Sequence, residues 1–175
     1  MVRYADDFVI LSRTDEEARA ALAEVEAWVA ESGLTLHPDK TRIGDCRLRG
    51  QGFDVLGYRF EAGRRLVRQK SRRAIRDKVR AKTKRTRGDA MARIVADLNP
   101  MLRGWFEDFK HAAPSELRTL GGFVRRRLRA ILRKQEKRPG FGRCLADQQR
   151  WPNAFFAGLG LFASATALAQ ARRSR

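Results

Sequence analysis

The chain has little cysteine and no long apolar run. Of its 175 residues, only Cys46 and Cys144 are cysteines, and they are far apart. This excludes a disulfide framework and a cysteine-based zinc site, and it fits the reduced cytosol. The most apolar stretch, residues 154–169, contains Gly, Ser and Thr and is shorter than the roughly 20 residues that a membrane-spanning helix needs. We expect no membrane span and no signal peptide.

Acidic residues are scarce in the second part of the chain. Residues 1–70 hold 12 Lys/Arg and 12 Asp/Glu, whereas residues 71–175 hold 26 and 8, so the whole formal charge of +18 lies in the second segment. This asymmetry predicts two modules, a neutral one over residues 1–70 and a basic one over residues 71–175 that binds a polyanion. An anionic membrane surface is one candidate, but aromatic residues lie among the arginines, which suits nucleic acid as well.

The neutral module begins with an acidic turn between two apolar, β-prone runs. The sequence Tyr4-Ala5-Asp6-Asp7 in this setting predicts a β-hairpin with both carboxylates at its tip. An Asp-Asp pair on its own is most often just a polar turn. Two adjacent carboxylates repel each other, however, and a hard divalent cation such as Mg²⁺ offsets the repulsion by binding their oxygens.

A helix and further strands are predicted after the acidic turn. Thr14 and Glu17 have the spacing of a capping box, and Gly33 ends the helical pattern. Residues 34–36 predict a short strand. Residues 53–60 predict a longer one with Gly inside it, followed by a turn and a return strand. The neutral module is therefore predicted to contain antiparallel hairpins and one helix.

The basic module has helical periodicity. Residues 71–87 predict a basic helix in which Asp77 is the single acid. A shorter helix is expected over residues 89–98, and Asn99–Pro100 predicts the start of another, since Pro favours the first helical position. Apolar residues recur from 117 to 131 on a helix whose other sides are basic. The cations that these helices offer to phosphates are Arg72, Arg73, Arg76, Lys78, Arg80, Lys82, Arg125, Arg126, Arg127 and Arg129.

The acidic hairpin resembles the catalytic hairpin of reverse transcriptases, in the form found in group II intron proteins. The helix, the Gly-Leu-x-Leu segment at residues 33–36 and the Leu-Gly-Tyr segment at residues 56–58 follow it in the order typical of that family. The resemblance implies that Asp6 is a metal ligand, that Asp7 supports the metal site, and that the metal is Mg²⁺ once further palm residues complete the site. The positions that it assigns to nucleotide or primer binding are Tyr4, Ala5, Lys40, Gly57 and Tyr58.

Residues 98–106, with the sequence LNPMLRGWF, resemble the signature of the group II intron maturase-specific domain, an all-helical thumb that grips intron RNA. Arg103 matches this pattern and joins the RNA-binding candidates. The segment from Trp151 onward also resembles bacterial group II intron proteins. The expected fold class is α+β: a partial reverse-transcriptase palm, with antiparallel hairpins plus one helix, followed by an all-α maturase/thumb helical domain.

The resemblance covers the C-terminal half of such a protein. The fingers, the first palm strands and a further palm Asp are expected to lie outside this chain, so the chain alone is not expected to polymerise. Three functions stay open: half of a split reverse transcriptase completed by a separate N-terminal chain, a stand-alone RNA-binding maturase-like module, and an inactive remnant. The expected partners are structured intron RNA, primer–template RNA/DNA and that N-terminal half, in a bacterial cytoplasm.

Overall fold

The structure, a computed structural model, describes residues 1–5 and 7–173, with side chains as far as residue 170. It divides into two compact units. The hairpin unit comprises Met1–Val55 with Phe60–Gly63, and the helical unit comprises Leu56–Arg59 with Arg64–Arg175. Strands and helices are both present, which confirms the α+β class. The domain boundary expected between residues 70 and 71 stays a prediction.

The hairpin unit opens with two short antiparallel strands, β1 (Val2–Tyr4) and β2 (Asp7–Val9). Tyr4 pairs with Asp7, which leaves a two-residue turn between the strands. Ala5, the first residue of that turn, has a φ of +53°. Tight two-residue hairpin turns require this left-handed conformation at their first position. The predicted β-hairpin is therefore confirmed.

Helix α1 (Asp15–Glu31) has the predicted ends. Thr14 Oγ1 accepts the backbone N–H of Glu17 (3.2 Å), and the Glu17 carboxylate accepts the backbone N–H of Arg13 (2.8 Å). These bonds satisfy N–H groups that the first turn of a helix leaves free. Gly33, with a φ of +68°, lies just past the last turn, where left-handed glycines end many helices.

The hairpin unit buries little apolar surface. Among its described side chains, Val29 is the one buried apolar residue, and the neighbouring Trp28 is 62% exposed. The strands of this unit are short, and they are too small to cover an apolar face of α1. Residues 34–36 form no strand in the described chain, because a strand requires a hydrogen-bonded neighbour.

A three-stranded sheet has the order β3 (Phe53–Val55), β4 (Tyr58–Glu61) and β5 (Arg64–Val67). The prediction of a single strand across residues 53–60 is wrong. Leu56 and Gly57 form a turn in the middle of it, with φ of +48° and +81°. Positive φ at both central residues matches the right-handed twist of a hairpin, and Gly adopts it without steric cost.

The described helices of the helical unit are α2 (Gln69–Lys82), α3 (Met91–Phe109), α4 (Pro114–Gln135), α5 (Leu145–Arg150), α6 (Asn153–Gly158) and α7 (Ser164–Arg173). Within the residues that the structure describes, no helix is long and apolar enough to cross a membrane.

The predicted helix start at Asn99–Pro100 is wrong. Helix α3 runs through both residues, with Pro100 inside it. A proline at this position removes one backbone hydrogen bond and strains the turn before it. Leu98 and Leu102, on either side of the proline, are 0% and 5% exposed. Their burial stabilises the helix across the break that the local sequence predicts.

The core lies in the helical unit. One face of α3 and the apolar stripe predicted for α4 are buried there, which confirms the α4 pattern. The largest contributors are Ile94, Leu98, Leu102, Trp105, Phe106, Phe109, Leu117, Leu120, Val124, Leu128, Ile131, Trp151 and Phe156. Since each fully buried side chain of this kind contributes roughly 1.5–3 kcal/mol, this unit has a substantial core of its own.

Candidate functional site

The acidic hairpin presents its described residues to solvent. Asp7 is the first residue of β2 and lies across from Tyr4, and both are exposed. Arg3 supports the turn, because its Nε donates to the carbonyl of Ala5 (2.8 Å). Asp6, the predicted metal ligand, lies outside the described residues.

The hairpin alone supplies few metal ligands. Among the residues that the structure describes, no group of three or more His, Cys, Asp or Glu side chains could hold a metal ion. Mg²⁺ takes oxygen ligands, commonly one or two carboxylates together with water and substrate phosphates. Asp6 and Asp7 have the donor chemistry for that part of the set, and the remaining ligands have to come from elsewhere.

The other nucleotide-binding candidates lie in two different settings. Lys40 is exposed in a turn of the hairpin unit. Gly57 and Tyr58 pack on α3 in the helical unit: a Cβ at Gly57 would lie 3.2 Å from the ring of Phe109, and the Tyr58 hydroxyl donates to the carbonyl of Asp108 (2.7 Å). Burial raises the pKa of Tyr58. The backbone at Gly57 therefore lies against a protein side chain.

A basic cavity of about 600 Å³ opens between α2, α4 and the segment after α4. Its described lining contains six arginines and no Asp or Glu. The lining residues of this arginine cavity are Arg76, Arg80, Thr119, Gly122, Phe123, Arg125, Arg126, Arg129, Gly142, Arg143, Gln148 and Asn153. A concave surface lined by one sign of charge concentrates its field and attracts the opposite charge.

Three of these arginines lie around the ring of Phe123. The guanidinium carbons of Arg76, Arg80 and Arg126 lie 5.7, 5.5 and 5.6 Å from the centroid of its ring. These distances are within the range of cation–π attraction. Phe123 also packs in part against the core. One aromatic side chain thus fixes cations from α2 and α4 around a single point.

Most arginines of the cavity have no acidic partner. Arg76, Arg125, Arg126 and Arg143 make no hydrogen bond or ion pair within the described part of the chain, whereas Arg80 pairs with its neighbour on α2. Burial lowers the pKa of Arg125, since desolvation disfavours the charged form. A cluster of unpaired like charges is destabilising by itself, and a bound anion would relieve the repulsion.

Arg127 and Arg129 have partners inside the protein. Arg129 is 6% exposed and donates to the carbonyl of Trp151 (2.9 Å) and to Asn153 Oδ1 (3.2 Å). Arg127 donates to the hydroxyl (3.0 Å) and the carbonyl of Thr83. Burial lowers the pKa of both guanidinium groups. Much of their hydrogen-bonding capacity is therefore used to join α4 to neighbouring segments.

The remaining predicted cations lie outside the cavity lining. Arg72 pairs with Glu116 (3.4 Å), and the guanidinium of Arg103 lies 4.9 Å from the ring centroid of Phe162. Those exposed on α2 are Arg73, Lys78 and Lys82. The predicted cations that the structure brings together in the cavity are Arg76, Arg80, Arg125, Arg126 and Arg129.

Sequence reasoning missed Phe123 and Arg143. Gly142, with a φ of +71°, lies against α4 so closely that a Cβ would be 2.7 Å from the backbone nitrogen of Ala130. This approach places Arg143 at the cavity. The sequence signal is the pair of glycines at 140 and 142, because closely spaced glycines favour near contact between backbones.

A palm-like acidic hairpin followed by a basic helical unit with an arginine-lined cavity defines a nucleic-acid-binding protein. The chain matches the model of the group II intron, maturase-specific domain over residues 72–151, and that of reverse transcriptase (RNA-dependent DNA polymerase) over residues 1–60. The chain belongs to the group II intron reverse transcriptases/maturases, and it carries a palm segment joined to the maturase domain of their C-terminal portion. Polymerases of this family use divalent metal ions, and the maturase domain implies binding of intron RNA. No curated protein matches the chain.

Proposed function

We propose that the maturase domain of this chain binds structured intron RNA through its phosphates, with the arginine cavity at the centre of the interface. The observation that supports this is the convergence on one cavity of four arginines that have no acidic partner among the described residues, namely Arg76, Arg125, Arg126 and Arg143. RNA duplexes hide most base edges in a deep, narrow groove, so side chains meet phosphates and 2′-hydroxyls. The planar fork of arginine suits pairs of phosphate oxygens.

The test is a filter-binding titration across salt concentrations. The variant replaces Arg76, Arg126 and Arg143 by Gln. The control replaces Arg13, Arg19 and Arg49 of the hairpin unit, which removes the same charge elsewhere. If each cavity arginine neutralises one duplex phosphate, the salt slope should fall by about 2–3 in the cavity variant, because each contact contributes about 0.9. Equal salt slopes in the two variants would show that the cavity is not part of the RNA interface.

Four predicted contact residues are assigned a positioning role in this proposal. Arg127 and Arg129 hold the wall of the cavity through Thr83, Trp151 and Asn153. Gly57 and Tyr58 hold the turn between β3 and β4 on α3.

In the hairpin unit, we propose that Asp6 binds Mg²⁺ with Asp7 in support, and that Tyr4 and Ala5 lie against primer–template RNA/DNA. Lys40 lies near the phosphates of the incoming nucleotide in this proposal. The support from the structure is the hairpin register, which sets Tyr4 and Asp7 beside the turn with both side chains exposed. The bound metal would stabilise charge on the transferring phosphate.

We further propose that a separate N-terminal reverse-transcriptase segment completes the hairpin unit in a bacterial cytoplasm. The support is the number of large apolar side chains that this unit leaves exposed and that further protein would bury. These include Val2, Tyr4, Phe8, Leu11, Trp28 and Leu34. The proposed domains are the palm segment, residues 1–70, and the maturase (thumb) domain, residues 71–175. Limited proteolysis should release a basic fragment beginning near residue 70, and preferential cutting inside α3 would contradict that boundary.

A further inference from the structure

We infer that the arginine cavity takes one unpaired nucleotide of the bound RNA, with its base stacked on Phe123 and its phosphates among the arginines. The inference rests on the proposed RNA-binding function and adds the kind of RNA element that is recognised. A perfect duplex keeps its bases stacked inside the helix, so it can only lay phosphates across the mouth of a cavity. A bulged or looped-out nucleotide can enter.

The size and chemistry of the cavity fit a nucleotide. A volume of about 600 Å³ lies within the roughly 300–1,000 Å³ of sites that enclose small organic ligands. Phe123 supplies an aromatic surface, and stacking on aromatic side chains holds unpaired bases of any sequence. Gln148 and Asn153 line the same space, and their amides can both donate to and accept from the edge of a base. A site for phosphate alone would need only the cations.

The arginines around Phe123 leave its ring incompletely covered. None of their guanidinium carbons is nearer to the ring centroid than 5.5 Å. Elsewhere in the helical unit, Arg85 lies 4.7 Å from the centroid of Phe141, and Arg103 lies 4.9 Å from that of Phe162. A base that stacks on Phe123 has to displace one of these arginine side chains outward, and the longer contacts at Phe123 resist this less than those at Phe141 and Phe162 would. Arginine planes stack on RNA bases as aromatic rings do, so the base would be held on both faces.

Gly122 allows the cavity to be filled without a change of charge. It lies on α4 in the cavity lining, and a Cβ there would meet no heavy atom within 4 Å. Gly122→Leu should therefore occupy the cavity while leaving the fold intact. The matched control is Gly158→Leu on α6, where a Cβ also meets nothing within 4 Å and which lies outside the lining.

The experiment uses the full 175-residue chain and two RNA hairpins, one with a single bulged adenosine and one with an abasic residue in its place. Both RNAs carry the same phosphates. We expect the chain and Gly158→Leu to bind the adenosine bulge about tenfold more tightly, as expected for one stacked base. Gly122→Leu should lose this preference and keep its affinity for the abasic RNA. Phe123→Leu, which keeps an apolar side chain but no aromatic ring, should lose the preference too, with folding checked by circular dichroism.

The outcomes separate the two proposals. Equal affinity of the unmodified chain for both RNAs would overturn the nucleotide pocket and leave phosphate binding standing. A preference that survives in Gly122→Leu would place the pocket elsewhere and overturn the inference as well. Failure to bind either RNA would overturn the RNA-binding function together with the pocket.

Discussion

The hairpin unit exposes most of its large apolar side chains, whereas the helical unit buries them. Tyr4 and Trp28 are 65% and 62% exposed, while Leu98 and Leu117 are fully buried. A few short strands and one helix enclose too little space for a core, but α3 and α4 pack long apolar faces together. The difference shows that the helical unit has a core of its own, whereas the hairpin unit buries little apolar surface.

The two units also differ in how they use charge. In the hairpin unit, cations pair with nearby acids: Arg19 with Asp15, and Arg47 with Asp45. The hydrogen bonds from Arg47 lower the pKa of Asp45 to about 2. In the helical unit, cations outnumber acids, and several arginines of the cavity have no acidic partner among the described residues. The hairpin unit holds 7 Lys/Arg against 12 Asp/Glu and is net acidic, whereas the lack of acidic partners in the helical unit leaves its cavity available to phosphates.

The largest expected effect is the loss of DNA synthesis when a residue of the hairpin unit is replaced. With the chain joined to the fingers and first palm strands of a group II intron reverse transcriptase, Asp6→Ala should reduce primer extension to background, because a lost metal ligand removes the charge stabilisation of the transferring phosphate. RNA affinity should be unchanged, since the arginine cavity belongs to the helical unit. Asp15→Ala is the control for charge. DNA synthesis that persists in Asp6→Ala would show that Asp6 is not a ligand.

The next prediction concerns stability. Leu98→Ala removes a fully buried side chain from α3 and should lower the free energy of unfolding by about 2–5 kcal/mol. Trp28→Ala removes a larger but mostly exposed side chain and should change it by less than about 0.5 kcal/mol. Urea unfolding followed by circular dichroism measures both. Similar losses of unfolding free energy in the two variants would show that the two units do not differ in how much buried apolar side chains stabilise them.

Sequence patterns predicted the regular elements well where local and long-range preferences agree. The capping of α1 at Thr14 and the buried stripe of α4 are such cases. Prediction from sequence patterns failed where packing outweighs a local signal. Pro100 lies inside α3 because the leucines around it are buried, and Leu56 takes a positive φ because β3 and β4 pair on either side of it. No local pattern contains those contacts.

Prediction of the candidate site from sequence has the same limit. Helical spacing identified the cations of α2 and α4, but not which of them converge. Phe123 was missed because its arginine neighbours come from two helices, and Arg143 because its place depends on the approach of Gly142 to α4. Arg129 was predicted as an RNA contact from its neighbours in sequence, and its burial against Trp151 became visible only in three dimensions.

A buried ion pair gives the helical unit a pH-dependent contribution to stability. Asp147 is 2% exposed, pairs with Arg133 (2.5 Å) and accepts a hydrogen bond from the Cys144 thiol (3.0 Å). Burial alone would raise the pKa of Asp147, but these hydrogen bonds outweigh it and lower that pKa below its ordinary value. A carboxyl with a lowered pKa stabilises the fold above the unfolded value of about 3.9. The contribution is lost as the pH falls through the folded pKa.

Asp147→Asn should therefore lower the free energy of unfolding at pH 7 by about 2–3 kcal/mol, somewhat less than for a completely buried pair. The loss should shrink as the pH is lowered below about 3.9. The control is Asp77→Asn, whose pair with Arg80 is exposed and should contribute less than about 1 kcal/mol. Urea unfolding at pH 7 and at lower pH measures both. A loss that does not vary with pH would show that the carboxylate charge at 147 is unimportant.

The smallest expected effect tests whether the maturase signature also has an architectural role. Asn99 Nδ2 donates to the carbonyl of Gly160 (2.8 Å), and its Oδ1 accepts the backbone N–H of Phe162 (2.8 Å). One side-chain amide therefore satisfies two backbone groups between α6 and α7. Asn99→Ala should lower the free energy of unfolding by about 1–2 kcal/mol and speed hydrogen exchange at the Phe162 amide, while exchange in α4 stays slow. Unchanged stability together with weaker RNA binding would instead make Asn99 a direct RNA contact.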